Sequence, residues 1–338
     1  MTATTPDTPP RIVCFGEMLL RLAPPGRELL LQTPRLETSF GGAETNVAVG
    51  LARLGADARM VTVLPDNVIG QAALAELRRW GVDTGGVRLA PGRMGLYFLT
   101  PGAVLRPAEV LYDRTGSAFA TAAPDLIDWT AELDGAAWLH LSGITPAVSP
   151  NAAGAALMAV EAARGLGVKV SFDGNFRSKV WAGRIGEAPA ILRGLLTYAD
   201  LAFIDHRDID LILAQTFDEP KTAAIAAFDA FPHLARIAST RRTILGPEDH
   251  DISARLFTRA SDHQTMTVHL KGVVDRVGAG DAFSAGVLHS LMAGLSDAKA
   301  LDYGLACCAL KHGIVGDFPL ITPADVAGFS AEQGDLRR

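Results

Sequence analysis

Short apolar runs alternate along this chain with stretches whose apolar residues recur every three or four positions. The runs are too short for helices and are bounded by glycine, aspartate or serine. They predict buried strands at 11–16 ("RIVCFG"), 58–64, 137–143, 168–173, 200–205 and 234–240. The second pattern predicts helices over 44–55, 67–82, 149–167, 221–231, Asp281–Ala293 and Asp297–Lys311. Gly55 ends the first of these helices, and Pro150 sits in the first turn of the third. Strand and helix in alternation predict an α/β fold, with a mostly parallel central sheet and helices on both faces. Ligands of such sheets bind beyond the carboxyl ends of the strands.

The alternation breaks at "GLYFLT" (95–100) and "EVLYDRTGS" (109–117), where two strand-like runs meet with no helix between them. With "LLRLAPP" and "LLLQTPRLETSF" near residues 19–40 they predict a small separate β-sheet, built from segments roughly 18–40 and 90–120. A lid over the carboxyl edge of the main sheet is the economical reading. The length of 338 residues fits one large α/β unit, here 11–330, after a polar, proline-rich tail over 1–10 expected to be disordered. That tail has neither a basic start nor an apolar segment, so it does not read as a signal peptide. No window is apolar and uncharged over the roughly eighteen residues that a membrane span requires. The net charge of −6 gives the chain as a whole no electrostatic case for nucleic acid or an anionic membrane. Cys14, Cys307 and Cys308 fit no zinc spacing and read as buried free thiols. A cytoplasmic location is expected.

The chemistry concentrates in "DRVGAGDAFSAG", Asp275 to Gly286. Placing "GAGD" at a helix start leaves the N–H groups of Gly278, Ala279, Gly280 and Asp281 without intrahelical partners and with nothing bulky to shield them. The helix dipole makes the point they face positive, so they form an anion hole suited to a phosphoryl group. Asp281 at the same helix end can accept the proton of an attacking hydroxyl. The plain alternative is a tight turn with Asp281 as an N-cap. There is no Gly-Lys-Ser/Thr nucleotide loop, and no Gly-x-Gly-x-x-Gly follows the first strand.

"DRVGAGDAFSAG" together with "GGAETNVAVGLARLG" resembles the paired signatures of the PfkB, or ribokinase-like, sugar kinases, and the resemblance runs from about Arg11 to about Phe329. Further stretches ("GEMLLRLAPP", "LYDRTGSAF", "SFDGNFRSKVW", "ALKHGIVGDFPLIT") look most like the 2-keto-3-deoxygluconate kinases of that family. The resemblance implies a ribokinase-like fold with a β-lid, ATP as donor with Mg²⁺, and homo-oligomers formed through the lid. It also implies Asp281 as base, Gly278–Asp281 as anion hole, and transfer to the terminal hydroxyl of a sugar acid. A kinase for another sugar, such as 2-keto-3-deoxygalactonate or fructose, and a non-catalytic sugar-acid-binding regulator are the alternatives.

On the substrate side, "SFGGAETN" puts Gly41 and Gly42 where a chain can approach a ligand closely, and Asn46 offers a donor and an acceptor one turn into the helix. In "FDGNFRSK", Asp173, Asn175 and Arg177 leave the end of a strand, and the fork of an arginine matches a carboxylate. The resemblance places Arg177 on the acid group of the sugar; a surface salt bridge to Asp173 is the plain alternative. Tyr97, Tyr112 and Arg114 fall in the lid strands, with Tyr112 and Arg114 on one face. They read either as substrate contacts or as lid packing. On the nucleotide side the resemblance places Ser239, Thr240 and Arg241 near the ATP phosphates and Lys311 and Gly313 beside adenine, although Lys311 reads equally as a cation at a helix C-terminus. Where the family often has Asn-x-x-Glu, tied to magnesium through water, this chain has Asp205 and Asp208 with His206 and Arg207 between them. Glu17 is expected to have a structural or lid role.

Overall fold

The structure, a computed structural model, describes residues 10–246 and 248–329. The predicted tail at 1–10 therefore lies, apart from Pro10, outside the described residues. The strands are β1 (Arg11–Phe15), β2 (Leu19–Ala23), β3 (Glu37–Gly41), β4 (Asp57–Pro65), β5 (Val87–Ala90), β6 (Gly95–Thr100), β7 (Glu109–Asp113), β8 (Ala136–Ser142), β9 (Lys169–Asp173), β10 (Leu201–Phe203), β11 (Arg236–Ile244), β12 (His250–Thr258), β13 (Asp262–Gln264) and β14 (Val268–Leu270). The longer helices are α1 (Ala43–Arg53), α2 (Val68–Arg79), α3 (Pro150–Leu166), α4 (Ala188–Leu196), α5 (His206–Leu213), α6 (Pro220–Ala230), α7 (Ala279–Met292) and α8 (Asp297–Lys311).

Ten strands form the main sheet in the order β13-β12-β11-β10-β9-β8-β1-β4-β5, with β14 also on β12. Pairing is parallel from β11 to β5 and antiparallel among β11 to β14. The antiparallel extension was not read from the sequence, because "HDISARLFT" alternates buried and half-exposed positions and has no long apolar run. The central strands β8 to β10 are almost wholly buried, as a sheet covered on both faces requires. One face packs Phe172, Trp181, Val160 and Leu192, and the other packs Met60, Leu51, Phe283 and Val287. Each fully buried side chain of this size contributes about 1.5–3 kcal/mol.

The small sheet has the order β3-β2-β6-β7, mixed in direction because β2 and β6 run parallel. It occupies less of the chain than the sequence suggests. Residues 29–36 form turns rather than strand, and β7 stops at Asp113. One face of the sheet buries Leu19, Ala23, Tyr97 and Leu99. The main sheet's carboxyl edge is where β1, β8, β9 and β10 hand over to Glu17, Gly143, Gly174 and Asp205, and α7 begins beside α1.

Candidate active site

Gly278 precedes α7 in the left-handed conformation, with φ 80° and ψ 2°. A side chain there is excluded twice, by that φ and because a Cβ would overlap the carbonyl oxygen of Asp317. Among the described residues the N–H groups of Gly278, Gly280 and Asp281 have no partner; that of Ala279 donates to the Arg276 carbonyl at 3.3 Å. Three of the four predicted donors are thus free to face a ligand, and Ala279 closes the turn instead.

Asp281 lies in the first turn of α7 and accepts a 2.6 Å hydrogen bond from Asn46 Nδ2. No side-chain cap bond forms at this helix start, so the N-cap alternative for Asp281 is not what the geometry contains. Burial pushes its carboxyl up to about 7. The charges of Asp317 and Glu44 add to this, while Asn46 and Arg177 pull it back. Asn46 is 2% exposed and its Oδ1 has no partner, an acceptor held ready in a desolvated place. Asp173 is pushed up to about 8 by burial and by Asp281 and Asp208, and Asp208 up to about 6, mainly by burial. Asp173 thus feels both Asp281 and Asp208 at this end of the sheet.

Asp205 is occupied otherwise. It caps α5, its Oδ1 accepts the N–H groups of Arg207 and Asp208, and its Oδ2 pairs with Arg207 at 2.5 Å. The predicted pair is therefore split: Asp208 closes the capping box through the Asp205 N–H but stands with Asp173 and Asp281, whereas Asp205 is a helix cap. Among the described residues no three acidic, histidine or cysteine side chains are arranged to enclose a metal. A hydrated Mg²⁺, which needs one or two carboxylates, is compatible with Asp173 and Asp208.

Arg177 is exposed at the end of β9 and has no hydrogen-bonded or ion-paired partner among the described residues, so the salt bridge to Asp173 does not form. It is still near enough to lower the pKa values of Asp173, Asp208 and Asp281. Arg114 is 7% exposed and spoken for: its Nε donates to Glu17 at 2.5 Å, and Glu17 also accepts from Ser117. Tyr97, opposite Tyr112 with ring centroids 6.2 Å apart, is 4% exposed and donates to the Asp317 carboxylate at 2.6 Å. Gly41 and Gly42 do permit close approach, though to protein: a Cβ on either would overlap Asp317 or the Glu17 carbonyl.

Ser239, Thr240 and Arg241 lie within β11, which runs on to Ile244 against β12 rather than ending before them. Lys311 is fully buried, donates to the Ile314 carbonyl at 3.0 Å, and has its pKa lowered by burial against the opposing pull of Asp275 and Asp317. It ends α8, as its reading as a helix C-terminal cation expects, but its ammonium is buried and not in water. Gly313 meets no atom closer than 3.6 Å, so nothing in the protein requires glycine there. Sequence reasoning missed Asp317, 3% exposed, which joins Tyr97 and Arg21 and touches the Gly41 and Gly278 turns. Its place in "VGDFP", just past the last long helix, carried no periodic signal.

A desolvated carboxylate with unpartnered N–H groups, at the edge of a parallel sheet and near a small second sheet, can take a hydroxyl proton beside a bound phosphoryl group. Fold and site together have the form of a kinase for a small hydroxyl compound. The pattern of the pfkB family carbohydrate kinases matches residues 9–317. The chain is 33% identical to a 2-dehydro-3-deoxygalactonokinase of Haloferax volcanii over 93% of its length and 95% of that protein. It is 30% identical to a probable chloroplastic fructokinase-6 of Arabidopsis thaliana, over 92% and 80%. The solved structure of 2-dehydro-3-deoxygluconokinase from Thermotoga maritima superposes with a TM-score of 0.89 at 33% identity, covering 94% of this chain and 98% of that one. The chain belongs to the pfkB family of carbohydrate kinases.

Proposed function

We propose that the protein transfers a phosphoryl group from ATP to the terminal hydroxyl of 2-keto-3-deoxygluconate, giving 2-keto-3-deoxy-6-phosphogluconate. The observation that carries the sugar-acid reading is Arg177, a guanidinium without a protein partner among the described residues and near enough to Asp281 to lower its pKa. A carboxylate on the substrate gives it a bidentate partner; a neutral sugar does not. The galactonate epimer, the acid in the name of the Haloferax relative, carries the same carboxylate and is the second reading.

MgATP supplies the activated phosphoryl group and the charge that neutralises it. Asp281, as carboxylate, takes the hydroxyl proton while the hydroxyl oxygen bonds to the γ-phosphorus and the bond to the leaving ADP breaks. The N–H groups of Gly278, Gly280 and Asp281 face the transferring oxygens. Asn46 holds Asp281 in place and offers Oδ1 to a sugar hydroxyl. Asp173 and Asp208 are the residues that would hold a hydrated Mg²⁺, which would neutralise charge on the phosphates. In this reading Tyr112 is the lid residue left to contact the sugar, since Glu17 holds Arg114, and Ser239, Thr240 and Arg241 of β11 are the candidates for the nucleotide side. Association of copies through the outer lid face, where Leu111 is 60% exposed, is part of the same reading.

The test is kcat/KM with ATP for both epimers, gluconate-derived acids, fructose and ribose, in wild type and Arg177→Ala. We expect a preference for the keto-deoxy acids of more than roughly tenfold, and a loss confined to them in the variant. A wild-type preference for fructose refutes the sugar-acid reading. Equal losses on acid and neutral sugar make Arg177 structural.

A further inference from the structure

Arg21 belongs to the lid strand β2, yet it is 6% exposed and its guanidinium lies between two buried carboxylates. Its Nη2 pairs with Asp275 at 2.8 Å and its Nη1 with Asp317 at 2.9 Å. Asp275 is itself the anchor of the anion-hole turn. Its Oδ1 accepts the Val277 N–H at 3.0 Å, a turn that leads directly into Gly278, and its Oδ2 accepts the Gly316 N–H at 3.1 Å. Asp317 accepts from Tyr97, the second lid residue in the cluster, and its carbonyl packs on Gly278. One lid side chain thus neutralises both acids that shape the turn presenting the N–H groups.

Neither carboxylate has an equivalent substitute. Lys311 is close enough to feel both acids, but its Nζ is hydrogen-bonded to the Ile314 carbonyl and forms no ion pair within 4 Å with either. With Arg21 withdrawn, Asp275 and Asp317 are left as adjacent buried charges. One must take a proton or move toward water. Either response loosens the Asp275–Val277 turn or the Asp317–Gly278 contact.

We propose that Arg21 is a positioning residue that makes the geometry of the anion hole depend on the lid. With β2 seated on the domain, Arg21 locks Asp275 and Asp317 and the N–H groups of Gly278, Gly280 and Asp281 converge. With β2 displaced, the turn relaxes. Binding under the lid and readiness of the phosphoryl site are thereby linked through one guanidinium. The inference rests on Gly278–Asp281 being the phosphoryl site of the kinase, not on which sugar is bound.

The experiment compares wild type with Arg21→Met, which keeps the length of the side chain, and Arg21→Lys, which keeps the charge but cannot bridge both acids. Two readouts are taken well below the unfolding temperature. In hydrogen–deuterium exchange of the apo-protein, the segments 275–281 and 314–318 should exchange faster in Arg21→Met while α2 and α3 keep their protection. In steady-state kinetics on the best substrate, kcat should fall by about tenfold or more with the sugar KM within about threefold, and Arg21→Lys should lie between. Unchanged protection of 275–281 overturns the proposal whatever the substrate proves to be. So does a kcat within about twofold of wild type, or a loss confined to the sugar KM, which makes Arg21 a simple lid contact. If Arg21→Met does not fold, Arg21→Lys and Asp275→Asn carry the same two measurements, and both must show the local loosening. Should wild type phosphorylate no sugar, the functional reading fails while the exchange result still decides the inference.

Discussion

Replacing Asp281 with asparagine should remove activity and stabilise the protein, because the same burial that tunes the base strains the fold. The amide that replaces the carboxylate keeps an oxygen to accept from Asn46 and carries no charge. Loss of a general base lowers kcat by about 10²–10⁴-fold. The stability effect follows from the raised pKa. A carboxyl held at about 7 instead of 3.8 is favoured in its protonated form in the native state. Its contribution is therefore fully present below about pH 4 and is lost as pH rises through about 7. The displacement corresponds to a ceiling of about 4 kcal/mol at full ionisation. Asp281 is half-buried, and Asp173 and Asp208 share the proton uptake, so about 1–3 kcal/mol should remain. Asp281→Asn should then melt a few degrees above wild type at pH 8.5 and level with it near pH 4.5. Differential scanning calorimetry at both pH values, with kcat measured on the same preparations, checks this. A variant that melts at or below wild type at pH 8.5 refutes the strained-carboxylate argument, and one that keeps most of its turnover refutes the assignment of the base.

Wild-type kcat should fall on the acid side of about pH 7, as Asp281 takes a proton, and the fall should be absent from the residual rate of Asp281→Asn; a flat profile from pH 5.5 to 8 contradicts the role. Asp205→Ala and Asp208→Asn should separate the two acids: the first loses a helix cap, about 1 kcal/mol of stability, with its magnesium requirement intact, and the second raises the Mg²⁺ concentration needed for half-maximal rate. Equal magnesium behaviour in the two would remove Asp208 from the site. Gly278→Ala should cost more than about 2 kcal/mol in chemical denaturation, since it adds left-handed strain to an overlap with the Asp317 carbonyl. A loss similar to that of an exposed glycine would mean the turn can shift freely.

The alternation of strands and helices, the parallel part of the main sheet, the presence of a small second sheet and the glycine turn before α7 were legible in the sequence. Each is announced by residues close together in the chain: apolar periodicity over a few turns, a glycine pair before a helix, an acid in its first turn. Asn46 and Asp281 could be named separately, but not their 2.6 Å hydrogen bond across 235 positions. The family resemblance presented Asp205 and Asp208 as equals; the structure makes one a cap tied to Arg207 and sets the other near Asp173. Strand alternation offered Arg114 and the family resemblance Arg177 as candidate contacts, whereas Glu17 holds the first and the second remains unpaired among the described residues. Arg21, Asp275 and Asp317 lie in stretches that the sequence singles out, but nothing local marks the three as partners, since they sit on a lid strand, in a turn and in a loop. Their meaning lies in mutual burial, and a buried charge is recognisable only by the partner that neutralises it. That partner is chosen by how distant segments pack, so tertiary structure alone decides it.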